Sequence, residues 1–432
     1  MPMNHGKKTE SDVARLCGGL FLKDFVLESP KYRTPGGQLR EAADALLPNG
    51  DSLIVMQVKT RVIPGSSLSD DSPELGRVLR RVKSAAEQVK TVLRAIDTQS
   101  LEEGETLRGV SIPLSNRAYS DIHGVVVIDV FNSKGASIVD QLEIQNGIVE
   151  VRGIPVHVFR ASDFRTIAQE QDTLPDLPNY LNVRKKLLAG VTEVPLVTEL
   201  DLFGLFKTRY PVIEECLSSQ TNILLVEPGL WEKVHRDFPE MWTERDQRMN
   251  PSYLVDRTIE EVHTCIGYDL SSECPPNQVG KSSVPHGPST PAEYWEILQR
   301  LGLLSRIERA QFGAKMYEKA EAADKKPFAY TMIYRPPDVG PIVYLCSNQP
   351  RHQRAERLRQ LMKCACAYMG TSHAVGIATQ SLSSIERSHD FCVMEDVFFD
   401  DPKEAKRLAQ QAFGARRGTS LDEWGKDYAP GA

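Results

Sequence analysis

The sequence lacks the long apolar run that a membrane-spanning helix requires. No stretch of its 432 residues approaches about 18 consecutive uncharged apolar residues. The opening MPMNHGKKTESD contains two lysines, but no apolar segment follows them as it would in a signal peptide. These absences predict a soluble, cytoplasmic protein that has no membrane partner.

Cysteine is too sparse and too irregularly spaced to form a disulfide framework. The eight cysteines include no Cys-x-x-Cys pair, which is the spacing that zinc knuckles and redox motifs use. The closest two, Cys364 and Cys366, lie in a helix-like segment, where positions i and i+2 face different directions. We therefore expect free, buried thiols and no structural zinc site.

The chain also lacks an excess of positive charge. It has 58 acidic and 52 basic residues, which gives a formal net charge of −6. This balance argues against a protein that coats nucleic acid through bulk charge, although it is compatible with a local basic groove. With 41% apolar and 25% charged residues the composition is that of a globular protein, and the length predicts two or three domains of about 100–200 residues.

Hydrophobic periodicity in the first part of the chain alternates between helix and strand. Residues 13–27 have apolar positions at helical spacing, and the pattern after the next Pro- and Gly-containing loop predicts a short helical turn and a β-hairpin. Asn49-Gly50-Asp51 is the predicted hairpin tip, because Asn and Gly tolerate the positive φ of tight turns. The clearest amphipathic helix spans residues 73–96. Its predicted buried stripe is Leu75, Leu79, Val82, Ala86, Val89, Leu93 and Ile96.

Further helices and strands are predicted along the rest of the chain. Strands are expected at residues 110–119, 123–131, 154–161, 328–335, 341–347 and 374–379. Helices are expected at residues 162–173, 178–190, 291–304, 306–323 and 353–369. Ser162 is the predicted N-cap of the first of these helices. The alternation of strands and helices predicts an α/β architecture in both halves of the chain.

The patterns divide the chain into four regions. We predict a first domain at 13–190, a connecting α/β region at 195–270, a flexible linker or loop at 271–290 and a C-terminal α/β domain at 291–432. The linker is rich in Ser, Pro and Gly and has no hydrophobic period. It contains Val279-Gly280-Lys281-Ser282, which imitates the end of a P-loop, but Pro275 stands where the first Gly should be.

Polar residues at one end of the predicted hairpin form the main candidate site. Side chains alternate along a strand, so Gln57 and Lys59 are expected to project from one face of SLIVMQVK. Asp44 begins the partner strand, and Glu41, placed one helical turn earlier, is expected on the same side. Carboxylate and amide oxygens beside a lysine can bind a hard divalent cation and activate a water.

The segment REAADALLPNGDSLIVMQVKT resembles the core motif of the PD-(D/E)XK phosphodiesterase superfamily, which has the restriction-endonuclease-like fold. Gln57 replaces the usual acid, as it does in Mrr-type restriction enzymes and nuclease-related domains. The resemblance extends over about residues 15–180 and implies that residues 13–190 form a restriction-endonuclease-like domain with a mixed sheet flanked by helices.

The resemblance also implies roles for the four residues. Asp44 would be the principal ligand of Mg²⁺ or Mn²⁺, Gln57 would contribute its amide oxygen, and Glu41 would be a supporting acid of the kind that some members carry on the first helix. Lys59 would orient the attacking water or stabilise negative charge on the phosphate. The implied activity is hydrolysis of phosphodiester bonds in DNA, or secondarily RNA, within a restriction or anti-phage defence system.

Other interpretations are compatible with the same residues. The chain could be a nuclease-like module with weak or no catalysis that binds as a subunit of a larger assembly, which the neutral Gln57 and the net negative charge favour. Alternatively the motif arises by chance in an α/β enzyme of other chemistry, in which case Asp44 and Lys59 would not converge. Residues 195–432 are expected to recognise the target, to bind a protein partner or to form a homo-oligomer.

The densest basic run lies near the C-terminal end of the chain. It comprises Arg351, Arg354, Arg357, Arg359 and Lys363. Several of these side chains would lie on one side of a helix, where they would either contact phosphate or form a solvated face. The solvated face is the preferred prediction.

Overall fold

The structure is a computed structural model, in which the chain forms two compact units. These units are Met1–Thr243 and Glu244–Ala432. The described residues are 5–64, 73–102, 104–112, 114, 119–141, 148–190, 198–218, 224, 226–262, 291–326, 329–336, 339–384, 388–394, 403 and 407. The predicted linker at 271–290 and the P-loop-like segment within it lie outside these residues.

A mixed six-stranded sheet forms the centre of the first unit, as far as this unit is described. In sheet order its strands are β1 (Leu27–Glu28), β4 (Ala45–Asn49), β5 (Ser52–Val62), β8 (Asp121–Phe131), β10 (Ile154–Arg160) and β9 (Ile148–Val151). β5 and β8 are parallel and pair from Ser52 and Asp121 to Val62 and Phe131. Their central apolar residues are fully buried, as expected for strands covered on both faces.

Two short hairpins and eight helices accompany this sheet among the described residues. The hairpins pair β2 (Lys31–Arg33) with β3 (Leu39–Glu41) and β6 (Gly104–Glu105) with β7 (Ser111–Ile112). The helices are α1 (His5–Leu20), α2 (Pro73–Asp97), α3 (Ala161–Glu170), α4 (Asp176–Gly190), α5 (Glu199–Thr208), α6 (Tyr210–Ser218), α7 (Leu230–Asp237) and α8 (Pro239–Met249). The last helix includes the residue at which the two units divide.

The long helix α2 covers one face of the sheet. Its length agrees with the predicted helix, but Val78 is 1% exposed while the predicted stripe residue Leu79 is 49% exposed. Val78 therefore takes the buried position predicted for Leu79, while Val82, Ala86, Val89 and Leu93 are buried as predicted. Gly124 on β8 allows α2 to approach closely, because a Cβ there would lie 2.8 Å from Val156 and 3.2 Å from Val89.

Two local predictions in the first unit are wrong. The predicted helical turn before the hairpin is strand β3, because a tight turn with Gly37 at φ 80° folds this segment back onto β2. Ser162 is not an N-cap, since α3 follows β10 directly and begins at Ala161. The Ser162 hydroxyl instead donates to Asp140 Oδ1 at 2.7 Å.

Only part of the predicted strand at 110–119 lies within the described residues. Its described residues include β7, which is two residues long, whereas positions 113 and 115–118 lie outside the described part. The predicted strands at 123–131 and 154–161 correspond to β8 and β10. The predicted hairpin also forms, with Gly50 in the turn at φ 59°.

The second unit contains a four-stranded sheet within its described residues. Its elements are α9 (Ser252–Val262), α10 (Pro291–Gly302), α11 (Arg306–Lys325), β11 (Tyr330–Tyr334), β12 (Ile342–Cys346), α12 (Arg351–Met369), β13 (Ala374–Thr379) and β14 (His389–Met394). β12 and β13 are parallel and are connected through α12, whereas β11 and β14 are antiparallel edge strands. Leu358, Met362 and Ala365 of α12 pack into the apolar core against this sheet.

The coarse fold prediction is confirmed. The chain is α/β, with a mixed sheet flanked by helices in the first unit and a second sheet in the other. The predicted helices and strands after residue 290 are present, and β14 is an additional strand that the hydrophobic pattern did not predict. No helix in the described ranges has the length and apolar character needed to cross a membrane.

The described cysteines agree with the prediction of free thiols. Cys17, Cys216, Cys346 and Cys366 are buried, Cys364 and Cys392 are partly exposed, and none of these six forms a disulfide. Burial raises the pKa of the Cys17 thiol to about 12. This thiol is therefore protonated at neutral pH and packs as a small apolar group.

Candidate functional site

The β4–β5 hairpin positions the candidate residues. Ala45 pairs with Met56, and the Asp44 amide donates to the Met56 carbonyl at 3.1 Å. This register places Asp44 opposite Gln57, and directly opposed residues of antiparallel strands share a face of the sheet. Lys59 follows two residues after Gln57 and therefore projects from the same face.

The structure brings Asp44, Gln57 and Lys59 together. Lys59 Nζ donates to Gln57 Oε1 at 3.0 Å and lies 3.4 Å from Asp44 Oδ2. The Val58 amide also donates to Asp44 Oδ2, which holds the carboxylate against β5. The Lys59 and Asp44 side chains are 21% and 14% exposed, so the pair is partly shielded but open to a ligand.

The orientation of the Gln57 amide is set by the backbone. Gln57 is 2% exposed, and its Nε2 donates to the Ala42 carbonyl at 3.4 Å. Only the amide nitrogen can donate to a carbonyl, so the amide oxygen is directed toward the Lys59 ammonium. Gln57 therefore supplies an oxygen at the position that an acid usually occupies in the PD-(D/E)XK motif, which the sequence resembles.

Glu41 reaches the same cluster from a different element than predicted. It ends strand β3, which pairs with β2, and does not lie on a helix. Its carboxyl group nevertheless interacts with Asp44: partial burial raises the pKa of Glu41, and the Asp44 charge and a hydrogen bond to Asp44 raise it further. Lys59 acts in the opposite direction and lowers this pKa.

Glu10 and two arginines are additional charged residues near the cluster that the sequence did not reveal. Glu10 on α1 is close enough for its charge to raise the pKa of Glu41. Arg61 and Arg81 line a depression together with Lys59. The only sequence signal for Arg61 was its alternation with Lys59 along one strand. Glu10 and Arg81 approach through tertiary packing.

The donor atoms fit a hard divalent cation in chemical type. Asp44 and Glu41 supply carboxylates and Gln57 supplies a neutral oxygen, which are the ligands that Mg²⁺ and Mn²⁺ favour. Two adjacent carboxyl groups repel each other, as the raised pKa of Glu41 indicates, and a bound cation would relieve that repulsion. In the described residues no group of three or more His, Cys, Asp or Glu side chains is arranged as a metal site, so Gln57 would be needed to complete the ligand set.

Glu41 gives the first testable prediction. Its raised pKa means that it is protonated as the pH falls through a range above the ordinary value for a glutamate. Protonation removes a negative ligand, so the Mg²⁺ affinity of the chain should decrease on acidification over that range. Calorimetric Mg²⁺ titrations at successive pH values should show this decrease in affinity for the wild type. Glu41→Gln should show a smaller dependence of Mg²⁺ affinity on pH.

Glu150→Gln is the matched control, because Glu150 is exposed on the edge strand β9. It should retain the wild-type pH profile. A Glu41→Gln profile that is also indistinguishable from wild type would show that Glu41 does not contribute to the metal site.

Two arginines of the basic run in the second unit form ion pairs with an aspartate. Arg351 Nε and Arg354 Nε donate to the Asp390 carboxylate at 2.5 and 2.7 Å. Arg354 is 0% exposed, and its Nη2 donates to Ser388 Oγ at 2.8 Å. These two arginines therefore connect α12 to β14 and are not part of a solvated face. Arg357 and Lys363 are exposed, in agreement with the solvated face predicted for the run.

Comparison with known proteins adds no relative. No protein-family model matches the chain, and neither a curated protein nor a solved structure matches it. The resemblance to PD-(D/E)XK enzymes therefore stays a prediction, and an inference of function depends on the chain's own residues and their geometry.

Proposed function

We propose that the chain is a Mg²⁺- or Mn²⁺-dependent nuclease that hydrolyses phosphodiester bonds, with DNA as the first substrate and RNA as the second. The proposal includes a restriction-endonuclease-like domain at residues 13–190. The observation that supports it is the convergence of Lys59 on Gln57 Oε1 at 3.0 Å and on Asp44 Oδ2 at 3.4 Å. A lysine, a carboxylate and an amide oxygen on one face of a β-hairpin match the chemistry of metal-assisted phosphodiester hydrolysis.

Each residue has a role that follows from its position. Asp44, Gln57 and Glu41 would hold the metal ion, which when bound would polarise the phosphate and lower the pKa of a coordinated water. The Val58 amide orients Asp44, and the Ala42 carbonyl orients Gln57. These backbone contacts keep the oxygen donors in place before substrate arrives, so that little reorganisation is needed during the reaction.

Lys59 supplies the positive charge of the site. Its ammonium has three N–H donors, and the contacts with Gln57 and Asp44 use two of them. A phosphate oxygen can therefore accept the remaining hydrogen bond. Negative charge accumulates on the phosphate oxygens as the attacking water adds, and a fixed cation beside them stabilises that charge more than it stabilises the ground state.

Cleavage assays on the purified full-length chain test the proposal. Supercoiled plasmid, linear duplex, single-stranded DNA and RNA should each be incubated with Mg²⁺, with Mn²⁺ and with EDTA. We expect metal-dependent cutting by the wild type and none by Asp44→Ala, provided that the variant has the wild-type circular dichroism spectrum. Cutting that survives in folded Asp44→Ala would place the activity elsewhere.

Restoring an acid at position 57 should strengthen the site. Gln57→Glu adds a negative charge beside Asp44 and Lys59, and we expect about tenfold tighter Mg²⁺ binding, equivalent to about 1.4 kcal/mol, with faster cleavage. The gain is limited because the carboxylate loses the hydrogen bond that Gln57 Nε2 donates to the Ala42 carbonyl. Calorimetry and cleavage rates at limiting Mg²⁺ measure both effects.

Gln247→Glu adds the same charge at an exposed position on α8 and should change neither quantity. Unchanged Mg²⁺ affinity in Gln57→Glu would contradict a metal position next to residue 57.

The neutral side chain of Gln57 also favours the second candidate function, a nuclease-like module that binds nucleic acid without cutting it. That function would be identified by wild-type binding without cleavage.

A further inference from the structure

A shallow depression lies between the end of β5 and helix α2. It is lined by Lys59, Thr60, Arg61, Val78, Arg81 and Ile128. Lys59 borders both this depression and the cluster of Asp44 and Gln57, so the two positions are adjacent.

The depression has an excess of positive charge. Arg61 and Arg77 share a single carboxylate, that of Glu74, with Arg61 Nη2 at 3.0 Å from Glu74 Oε2. Arg81 Nη1 donates to the Thr60 carbonyl at 3.0 Å and has no acid among its described contacts. Among the described residues, one carboxylate thus offsets the charge of one of three neighbouring guanidinium groups.

Helix α2 extends this positive surface. Residues 75–86 contain Arg77, Arg80, Arg81 and Lys83 and no acidic residue. All four are exposed, and Arg77 has a side-chain exposure of 51%. In a chain with a net charge of −6, this concentration of bases beside the candidate site favours an anionic ligand.

We propose that the depression is a subsite for a second phosphate group of the substrate, next to the phosphate that Lys59 contacts. Arg81 would be the main ligand of this second phosphate, and Arg61 would border it. The substrate is then a polynucleotide strand and not an isolated phosphodiester, because only a chain of linked phosphates occupies both positions. This inference rests on the proposed nuclease function and specifies the substrate of that site.

The test compares Arg81→Gln with Arg94→Gln, which removes an exposed arginine farther along the same helix. Binding of fluorescein-labelled single-stranded and duplex DNA is measured by anisotropy in EDTA over a range of salt concentrations. We expect Arg81→Gln to weaken binding about fivefold to tenfold and to reduce the salt slope by about 1. Arg94→Gln should bind like the wild type.

A substrate with only one phosphate distinguishes an effect at the second phosphate position from an effect at the first. Turnover of bis(p-nitrophenyl) phosphate with Mn²⁺ should be unchanged in Arg81→Gln, because this molecule has only one phosphate. With DNA, the same variant should show a raised KM and a nearly unchanged kcat. Arg81→Lys, which keeps the charge, should restore most of the DNA affinity and controls for loss of the Thr60 contact.

The outcomes for the subsite and for the nuclease proposal are distinguishable. Equal DNA affinity of Arg81→Gln and Arg94→Gln would overturn the subsite even if the wild type cuts DNA. Wild-type binding that depends on Arg81 but gives no cleavage with any metal would retain the subsite and overturn the nuclease. If Arg81→Gln does not fold, Arg61→Gln, which changes the other arginine that lines the depression, provides the comparison. Failure of the wild type to bind any oligonucleotide would overturn the inference.

Discussion

Replacing Lys59 with methionine is expected to lower the metal-dependent cleavage rate by about 10²–10³-fold, or about 2.7–4 kcal/mol of activation free energy. Methionine keeps most of the apolar stem and removes the ammonium that lies 3.0 Å from Gln57 Oε1 and 3.4 Å from Asp44 Oδ2. Metal binding should persist or become tighter, because Lys59 competes with a cation for the same oxygens. The two readouts are single-turnover cleavage and calorimetric Mg²⁺ titration.

Asp44→Asn provides the contrast, because it should lose metal affinity and cleavage together. Lys90→Met is the matched control, since Lys90 contacts Glu87 on α2 at 3.5 Å and lies outside the site. If Lys59→Met lost Mg²⁺ binding as Asp44→Asn does, Lys59 would act by supporting the local structure. Wild-type cleavage by Lys59→Met would exclude the role in charge stabilisation.

The local part of the site is predictable from sequence because a hairpin is a short-range structure. The turn around Gly50 sets the register of β4 and β5, and this register alone places Asp44 opposite Gln57. Strand alternation then places Lys59 on the same face as Gln57. The predicted convergence of these three residues needed no information about the rest of the chain.

The strand conformation around Glu41 and the position of Arg81 beside Lys59 could not be predicted from the sequence. The segment around Glu41 has helix-forming residues, but pairing with β2 across the turn at Gly37 overrides that preference. Arg81 is one of several exposed bases on α2, and only the packing of this helix on β5 identifies it as the one beside Lys59. Periodicity predicts which face of a helix is polar, but not which polar residue borders a site.

A buried network in the first unit was also beyond sequence analysis. Arg184 on α4 is 2% exposed and forms two hydrogen bonds with Glu199 on α5, at 2.8 and 2.7 Å. Tyr180 donates to the same carboxylate at 2.5 Å, and the Arg184 guanidinium lies 4.7 Å from the centre of the Phe159 ring. The guanidinium is therefore removed from water and depends on Glu199 for its compensating charge.

Arg184 also determines which ring nitrogen of the buried His157 carries the proton. Its Nη1 lies 3.2 Å from His157 Nδ1, and because arginine can only donate, this histidine nitrogen must accept. His157 Nε2 then carries the proton and donates to His123 Nδ1 at 3.2 Å. Burial and the neighbouring Arg184 charge lower the pKa of His157 well below its ordinary value, so it remains neutral.

Glu199→Ala is expected to destabilise the chain by about 3–5 kcal/mol, because it removes the carboxylate that makes two hydrogen bonds with the buried Arg184 guanidinium. Urea denaturation followed by tryptophan fluorescence and circular dichroism measures the change. Glu102→Ala is the matched control: Glu102 pairs with Arg33 at 2.8 Å, but their side chains are 39% and 54% exposed, so the loss there should be below about 1 kcal/mol.

A double replacement shows whether the effect comes from the buried positive charge of Arg184. Arg184→Met combined with Glu199→Leu removes both charges and fills similar volume, so it should recover most of the stability that Glu199→Ala loses. The recovery should be incomplete, because Tyr180 and His157 each lose a hydrogen-bond partner. If the double variant were as unstable as Glu199→Ala, the loss would arise from packing between α4 and α5, and the buried charge would not be its cause.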